Sequence, residues 1–164
     1  MLADLAAWLA DTSISRSFGA TLWVVPFSQS LHILAIAAVM ASAWILSFRL
    51  MGLAGRAETI AQTYARYAPW IWRALVVLLL TGLVLIIGEP ARQLTNAAFL
   101  TKMVLLIAAV LLTAVLQLTL RRKAGDWDRP EGPPLAAKAL ALLQLSQWLA
   151  IAVAGRWIAY AEYG

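Results

Sequence analysis

His32 is the only histidine in a chain of 164 residues, and it lies in the long apolar stretch "PFSQSLHILAIAAVMASAW". Imidazole is a common ligand of haem iron, and it also takes up and releases protons near neutral pH. Gln29 precedes His32 by three residues, a spacing that places both side chains on one side of a helix. The chain contains no cysteine, which excludes thiolate metal sites, disulfides and cysteine nucleophiles. The sequence leaves three roles open for His32: a haem ligand, a proton relay, or a structural group that hydrogen-bonds Gln29 or a neighbouring helix.

Other polar and charged side chains also interrupt the apolar stretches. Lys102 lies about four residues inside the third stretch, roughly 6 Å deep at 1.5 Å per residue. At that depth a lysine either anchors the helix by extending to the interface or belongs to a site. Arg156 and Glu89 lie near the ends of two stretches, as a rim ion pair or as the lining of a polar site. A candidate polar path comprises Ser28, Thr81, Glu89, Thr113, Gln144 and Gln147.

These residues are carried by a strongly apolar chain. Hydrophobic residues make up 63% of it, charged residues 13%, and the mean hydropathy is +0.80. Soluble domains are about half apolar and about a quarter charged. A membrane-spanning helix needs roughly 20 apolar residues, and four segments satisfy this requirement, at about 22–48, 70–88, 99–120 and 136–160. The sequence therefore predicts a single all-α domain over residues 1–164, a four-helix transmembrane bundle.

The segments outside these spans differ in character. Residues 2–12 repeat leucine and tryptophan at helical spacing, which predicts a short amphipathic helix lying on the membrane surface. Residues 49–69 predict a short surface helix that ends before Pro69. Residues 88–98 predict a short turn, and residues 121–134 predict a charged loop broken by proline and glycine.

One face of the first spanning helix is expected to pack against the other helices. Lipid provides no hydrophobic drive for helix association, so small and weakly polar side chains mark the contact faces. Because His32 lies on such a face, we expect it to point into the protein. The stripe comprises Ser28, His32, Ala35, Val39, Ser42, Leu46 and Arg49.

The distribution of basic residues predicts the orientation. Nine lysines and arginines flank the first and third connections between spans, and four lie on the opposite side. The positive-inside rule then places both termini outside, in the periplasm of a bacterium, with the protein in the inner membrane. The basic residues lie between apolar stretches, so the expected partner is membrane lipid and not nucleic acid. A homo-oligomer or a subunit of a membrane complex is also expected.

Several blocks of this sequence resemble those of an uncharacterised family of bacterial four-helix integral membrane proteins. The blocks are "SQSLHILAIA", "FRLMG", "TGLVLIIGEP", "AFLTKMVLLIAAV" and "AGRWIAY". They occur in matching order and span nearly the whole chain. The sequence departs from the family pattern at Gln29, where a glutamate often precedes the histidine, and at Ser47, where an aspartate often stands.

More distantly, the layout is similar to the HemJ-type protoporphyrinogen oxidases and to the CopD-like copper-resistance membrane proteins. In the HemJ type, a histidine in the first helix and a lysine in the third are needed for haem binding and activity. The resemblance implies that His32 and Lys102 are the matching positions, with Arg49 matching the arginine that closes the first helix. It also implies that haem b is the cofactor.

Three functions follow from these observations. The first is a haem-b-binding or redox-accessory bundle in which His32 ligates the iron with Gln29 nearby, while Lys102, Arg156 and Arg92 neutralise propionates. The second is a homo-oligomeric channel or transporter for a small solute, ion or proton, which uses the polar path. The third is a scaffold subunit of a larger membrane complex, with no site of its own. The sequence leaves open whether the protein is an enzyme.

Overall fold

A computed structural model describes residues 1–157, and this part of the chain is α-helical with no β-strand. Four of the helices are long and apolar enough to cross a membrane, which confirms the predicted all-α fold with four spanning helices and indicates a membrane protein. The predicted end of the last span, at residue 160, lies outside the described residues. In chain order the helices are α1 (Leu2–Ala10), α2 (Ser13–Ala20), α3 (Val24–Met51), α4 (Ile60–Gly88), α5 (Pro90–Leu94), α6 (Ala97–Trp127) and α7 (Leu135–Trp157).

The four long helices form a square arrangement. Helix α3 packs against α4 and α7, and α6 packs against the same two helices, so α3 and α6 lie at opposite corners. Helix α6 has 31 residues, about 46 Å at 1.5 Å per residue. That length exceeds a hydrocarbon core of about 30 Å, so the ends of the bundle extend into the headgroup region of a membrane.

The predicted boundary at Pro69 is wrong, because α4 begins at Ile60 and runs through the proline. Its first turn is stabilised from two directions. Thr59 and Gln62 form a reciprocal capping box, and the Asp128 carboxylate accepts hydrogen bonds from the backbone N–H groups of Ile60 and Ala61, at 2.6 and 3.3 Å. Proline removes one helical hydrogen bond, and a capped, packed helix tolerates that loss.

Helix α6 also extends beyond its predicted end at residue 120 and reaches Trp127, so the first part of the predicted charged loop is helical. The reason is packing: Leu120, Ala124 and Trp127 are buried in an apolar cluster together with Leu46 and Leu50 of α3. Contacts between distant segments override the polar composition of this stretch.

Arg49, at the end of α3, contacts residues of both connections at this end of the bundle. Its guanidinium lies 3.6 Å from the Asp128 carboxylate, and its Nε donates a hydrogen bond to the Glu58 carbonyl at 2.7 Å. The α3–α4 and α6–α7 connections therefore meet at one end of the bundle, which we call the Asp128 end.

The opposite end, which we call the α5 end, is covered by short helices. The helix predicted over residues 2–12 is α1, and an unpredicted second helix, α2, follows it, because the side chain of Thr12 caps α2 by accepting from the Ser15 N–H at 3.2 Å. The Ser15 hydroxyl donates to the Ile87 carbonyl at 2.6 Å, and α1 packs along α5. The predicted turn at 88–98 contains α5 itself.

The predicted contact face of α3 is confirmed. Ser28, Ala35, Val39, Ser42 and Leu46 are all buried. Two apolar clusters fill the bundle, one near its middle and one at the Asp128 end. His32 lies on the same face, between buried Ser28 and buried Ala35, but it is only half-buried because it borders a cavity.

Candidate functional site

The side chain of His32 is held by a residue of the neighbouring helix. Its Nδ1 atom lies 2.7 Å from the Oγ1 atom of Thr81 in α4. The Thr81 hydroxyl in turn donates to the Val77 carbonyl at 2.7 Å. A threonine hydroxyl has one hydrogen to donate, so while that hydrogen is on the Val77 carbonyl the Thr81 oxygen accepts a hydrogen bond from His32 Nδ1–H. This arrangement leaves the lone pair of His32 on Nε2.

The imidazole ring also lies beside Gly82 of α4. A Cβ atom at this position would lie 3.6 Å from His32 Cε1, so the ring passes directly over the glycine. Gln29, which the sequence places on the same side of α3, makes no hydrogen bond to His32 among the described residues. The ring is therefore positioned by α4, through Thr81 and Gly82.

His32 borders a cavity of about 460 Å³. The walls are the facing sides of α4 and α6, with His32 and Ile36 of α3 and Trp148 and Ile151 of α7 behind them. The α4 wall includes Val76, Leu79 and Leu83, whose side chains are 56%, 63% and 47% exposed. The cavity therefore reaches the outer surface of the bundle between α4 and α6, on the side that faces lipid.

Lys102 lines the same cavity from α6. Its Nζ would lie 3.6 Å from a Cβ atom at Gly155 of α7, so its ammonium is beside the α6–α7 contact. Within residues 1–157, the ammonium makes no hydrogen bond and no ion pair. The structure thus brings the two principal predicted site residues, His32 and Lys102, to one largely apolar cavity.

The other predicted cofactor-binding residues lie outside the cavity lining. The side chain of Arg156 is exposed near the end of α7. Glu89 pairs with Arg92 of α5, with 3.0 Å between the carboxylate and the guanidinium. Gln93, the next residue of α5, does line the cavity. The α5 end therefore contributes one polar residue that the sequence did not single out.

The residues of the predicted polar path separate into small groups. Gln144 donates to Thr113 at 3.4 Å, and Gln147 donates to the Leu105 carbonyl at 3.4 Å. Neither group lines the cavity that His32 borders. Ser28 is buried on the α3 face, one helical turn from His32. Apolar residues of the middle cluster fill the space beside these groups: Val39, Ile71, Leu78 and Ala109.

A family model matches residues 7–161 of the chain, and the family is DUF6644, a family of unknown function. The match includes all four spanning helices and every residue of the cavity. The chain belongs to the DUF6644 family. Membership of an uncharacterised family was predicted from the sequence and is confirmed. No curated protein and no solved structure matches this chain.

Several cavity residues of this DUF6644 protein escaped the sequence analysis. On α6, Phe99, Lys102, Met103, Leu106 and Val110 all line the cavity, a spacing that follows one helical face. That periodicity was visible in the sequence, but it is indistinguishable from a face that packs on another helix. Trp72 of α4 also lines the cavity, and its indole N–H donates to Gln117 Oε1 at 2.7 Å.

The donor set of the DUF6644 cavity limits what it can bind. Among residues 1–157, no three His, Cys, Asp or Glu side chains are grouped as they would be to hold a metal ion. The cavity offers one imidazole nitrogen, one ammonium group, the Gln93 amide, the Met103 thioether, two indoles and an otherwise apolar wall. Such a set suits a largely apolar ligand that carries an acidic group and bonds to a single nitrogen atom.

Proposed function

We propose that this DUF6644 protein binds haem b in the cavity between α4 and α6, with His32 Nε2 as an axial ligand of the iron. The observation that carries this proposal is the hydrogen bond between His32 Nδ1 and Thr81, with the Thr81 hydroxyl committed to a backbone carbonyl. Metal-binding histidines commonly donate their second N–H to a neighbouring oxygen, which fixes the tautomer and the ring orientation. Here that arrangement presents an unprotonated Nε2.

The number of ligands favours haem over a bare metal ion. With one histidine and no cysteine, the chain offers a single nitrogen of the type that soft or borderline metals prefer. A porphyrin supplies four further nitrogens, so one imidazole suffices. A volume of about 460 Å³ also falls within the range of about 300–1,000 Å³ seen for pockets of small molecules and cofactors.

Lys102 supports the same ligand. Haem b is an apolar disc with two acidic propionates at one edge, and the cavity is an apolar slot with a cation in its wall. The Lys102 ammonium has no partner among the described residues, and a propionate would provide one. Arg92 and Arg156 are near the same end but outside the lining, so we assign the propionate contact to Lys102.

Bound haem b would supply a one-electron redox centre, and we propose that the protein acts as a redox-accessory protein of the membrane. The contribution of the chain would be to fix the axial imidazole through Thr81, to neutralise one propionate through Lys102 and to keep water away from the centre with apolar walls. The likeness in layout to the HemJ-type oxidases, in which a histidine and a lysine occupy comparable helices, is consistent with this proposal.

The other functions suggested by the sequence have less support. A channel through one chain requires polar groups in a continuous line, whereas the His32–Thr81 and Thr113–Gln144 pairs are flanked by buried apolar residues such as Val39 and Ala109. A scaffold subunit would not require the Nε2 lone pair or the Lys102 ammonium. Both features have a use in haem binding.

We also propose that the protein lies in a bacterial inner membrane with its Asp128 end in the cytoplasm. The connections at that end carry most of the basic residues, and the positive-inside rule assigns such connections to the cytoplasm. Residues 1–20 and the cavity would then be on the periplasmic side. Haem would be bound in the outer half of the bilayer.

Absorption spectroscopy of the detergent-purified protein tests the proposal. After expression in cells supplied with a haem precursor, the wild type is expected to show Soret and α bands, with about one haem per chain by the pyridine haemochrome assay. His32→Ala is expected to lose the bands, and Gln29→Ala is the matched control because it alters a neighbour that makes no hydrogen bond to the ring. Wild-type protein that is folded and colourless under these conditions would contradict the proposal.

A further inference from the structure

The cavity holds a second side chain that can bond to iron. Met103 lines it from α6, next to Lys102 in the sequence. The chain has four methionines, and Met103 is the one found in this lining. A thioether is a soft ligand and, opposite a histidine, one of the established axial ligands of haem iron. Core filling is the usual role of methionine, but here the side chain borders space.

The arrangement of the helices places Met103 and His32 on different sides of that space. His32 belongs to α3 and Met103 to α6, which occupy opposite corners of the square. Both of these helices pack against α4 and α7. The two side chains therefore reach the cavity from different helices, His32 from behind its α4 and α6 walls and Met103 from the α6 wall itself.

The remaining lining residues offer weaker candidates for the sixth position. Apart from His32 and Met103, the side chains with donor atoms are Lys102, Gln93 and two tryptophans. An ammonium has no lone pair while it is protonated, and a propionate beside it favours that form. The indole nitrogen donates only a hydrogen bond, and an amide oxygen is a hard ligand better suited to magnesium or calcium.

We infer that Met103 Sδ is the sixth ligand and that haem in this protein has His32/Met103 coordination. This inference rests on the proposed function and deepens it, because it assigns the axial position that a chain with a single histidine leaves open. This coordination would also affect the reduction potential of the haem. Thioether ligation raises the reduction potential of haem, so the protein would serve as a relatively oxidising electron acceptor in the membrane.

The test compares haem-loaded wild type with Met103→Leu, Met103→His and Met40→Leu. Leucine preserves the volume and removes the sulfur, whereas histidine restores a strong ligand. Met40 is the matched control because it lies on α3, packs against the middle apolar cluster and does not line the cavity. For each protein the oxidised spectrum, the midpoint potential and carbon monoxide binding by the reduced form are measured, and size-exclusion chromatography checks folding.

In the wild type and Met40→Leu, we expect low-spin haem, the weak far-red charge-transfer band of an iron–thioether bond and slow carbon monoxide binding. Met103→Leu should lose the band, become high-spin and bind carbon monoxide rapidly. Met103→His should recover low-spin haem at a lower potential. A haem-loaded wild type whose spectrum matches that of Met103→Leu overturns the Met103 assignment alone. A wild type that binds no haem overturns the proposed function and this inference with it.

Discussion

His32 Nδ1 and Thr81 Oγ1 lie 2.7 Å apart, although the two residues are 49 positions apart in the sequence. The bond links α3 to α4 at the edge of the cavity. When the Thr81 hydrogen is on the backbone of its own helix, Thr81 Oγ1 accepts from His32 Nδ1–H, and Nε2 is the free nitrogen of the ring. Through this bond, Thr81 favours Nε2 as the ring nitrogen that is available to a ligand.

Replacement of Thr81 by valine should weaken haem binding, although the proposed axial ligand His32 is still present. Valine has the shape of threonine but no oxygen, so His32 Nδ1 loses its acceptor and the ring can rotate. Loss of such an outer-shell partner typically costs about 10–100-fold in metal affinity, and we expect a loss of that size in titrations of the apoprotein with haem. Thr81→Ser should bind like the wild type. Equal affinity of the valine variant and the wild type would contradict this role of Thr81.

Gly82 should tolerate alanine but not phenylalanine. An added Cβ would lie 3.6 Å from His32 Cε1, an ordinary contact, and alanine is better than glycine inside a helix by about 1 kcal/mol. Gly82→Ala should therefore keep its haem and melt at an equal or higher temperature. Gly82→Phe would project a ring into the cavity and should abolish the Soret band.

Gly125→Phe is the control for this pair, because nothing lies within 4 Å of a Cβ atom at Gly125. It adds the same ring in α6 far from the cavity, so its haem content should equal that of the wild type. Full haem occupancy in a folded Gly82→Phe variant would place the ligand elsewhere.

Lys102 should discriminate between ligands with free and blocked acidic groups. If its ammonium pairs with a propionate, the wild type should bind haem more tightly than haem dimethyl ester. A charge-assisted contact contributes about 1.5–3 kcal/mol, or about tenfold or more in affinity. Lys102→Ala should bind both ligands equally, and the comparison is made by titration in the same detergent.

Lys123→Ala serves as the control for Lys102, because it removes an exposed lysine at the Asp128 end. This variant should retain the preference for free haem. If Lys102→Ala retains it as well, the ammonium does not contact a propionate.

The elements of the fold were predictable where the pattern is local. The contact face of α3 followed from small and polar residues at helical spacing, and Ser28, Ala35 and Ser42 are indeed buried. The four spans followed from apolar length. Both features depend on residues within a few turns of one another, which periodicity detects.

The site was predictable only in part. His32 and Lys102 stood out as ionisable groups in apolar surroundings, and they share a cavity. Their neighbours Gly82 and Met103 did not stand out, because small and apolar residues in a spanning helix look alike whether they line a cavity or pack. The pairing of His32 with Thr81 depends on how two helices are aligned in the bundle, and one sequence contains no signal of that alignment.

The start of α4 at Ile60 also depends on a contact that the local sequence does not reveal. Residues 60–69 are polar enough to suggest a separate surface helix, and Pro69 suggests its end. The stabilising contact comes from Asp128, which is 68 positions from Ile60. Its carboxylate accepts from two N–H groups of the first turn and lies near the Arg49 guanidinium.

This position of Asp128 predicts a stability effect that is separate from ligand binding. Asp128→Ala would leave the first N–H groups of α4 without acceptors and remove the partner of Arg49. A lost helix cap costs about 0.5–2 kcal/mol, and the mostly buried Arg49 side chain adds to that loss. We therefore expect a lower melting temperature in detergent, measured for the apoprotein.

Asp126→Ala is the matched control for Asp128→Ala. Asp126 pairs with Arg129, but the two side chains are 61% and 69% exposed, and exposed ion pairs contribute about 0–1 kcal/mol. Its melting temperature should therefore stay near that of the wild type. Because the cavity lies toward the α5 end, the haem spectrum of folded Asp128→Ala should also match the wild type. An altered spectrum would mean that the Asp128 end positions His32, contrary to the local role of Thr81 and Gly82.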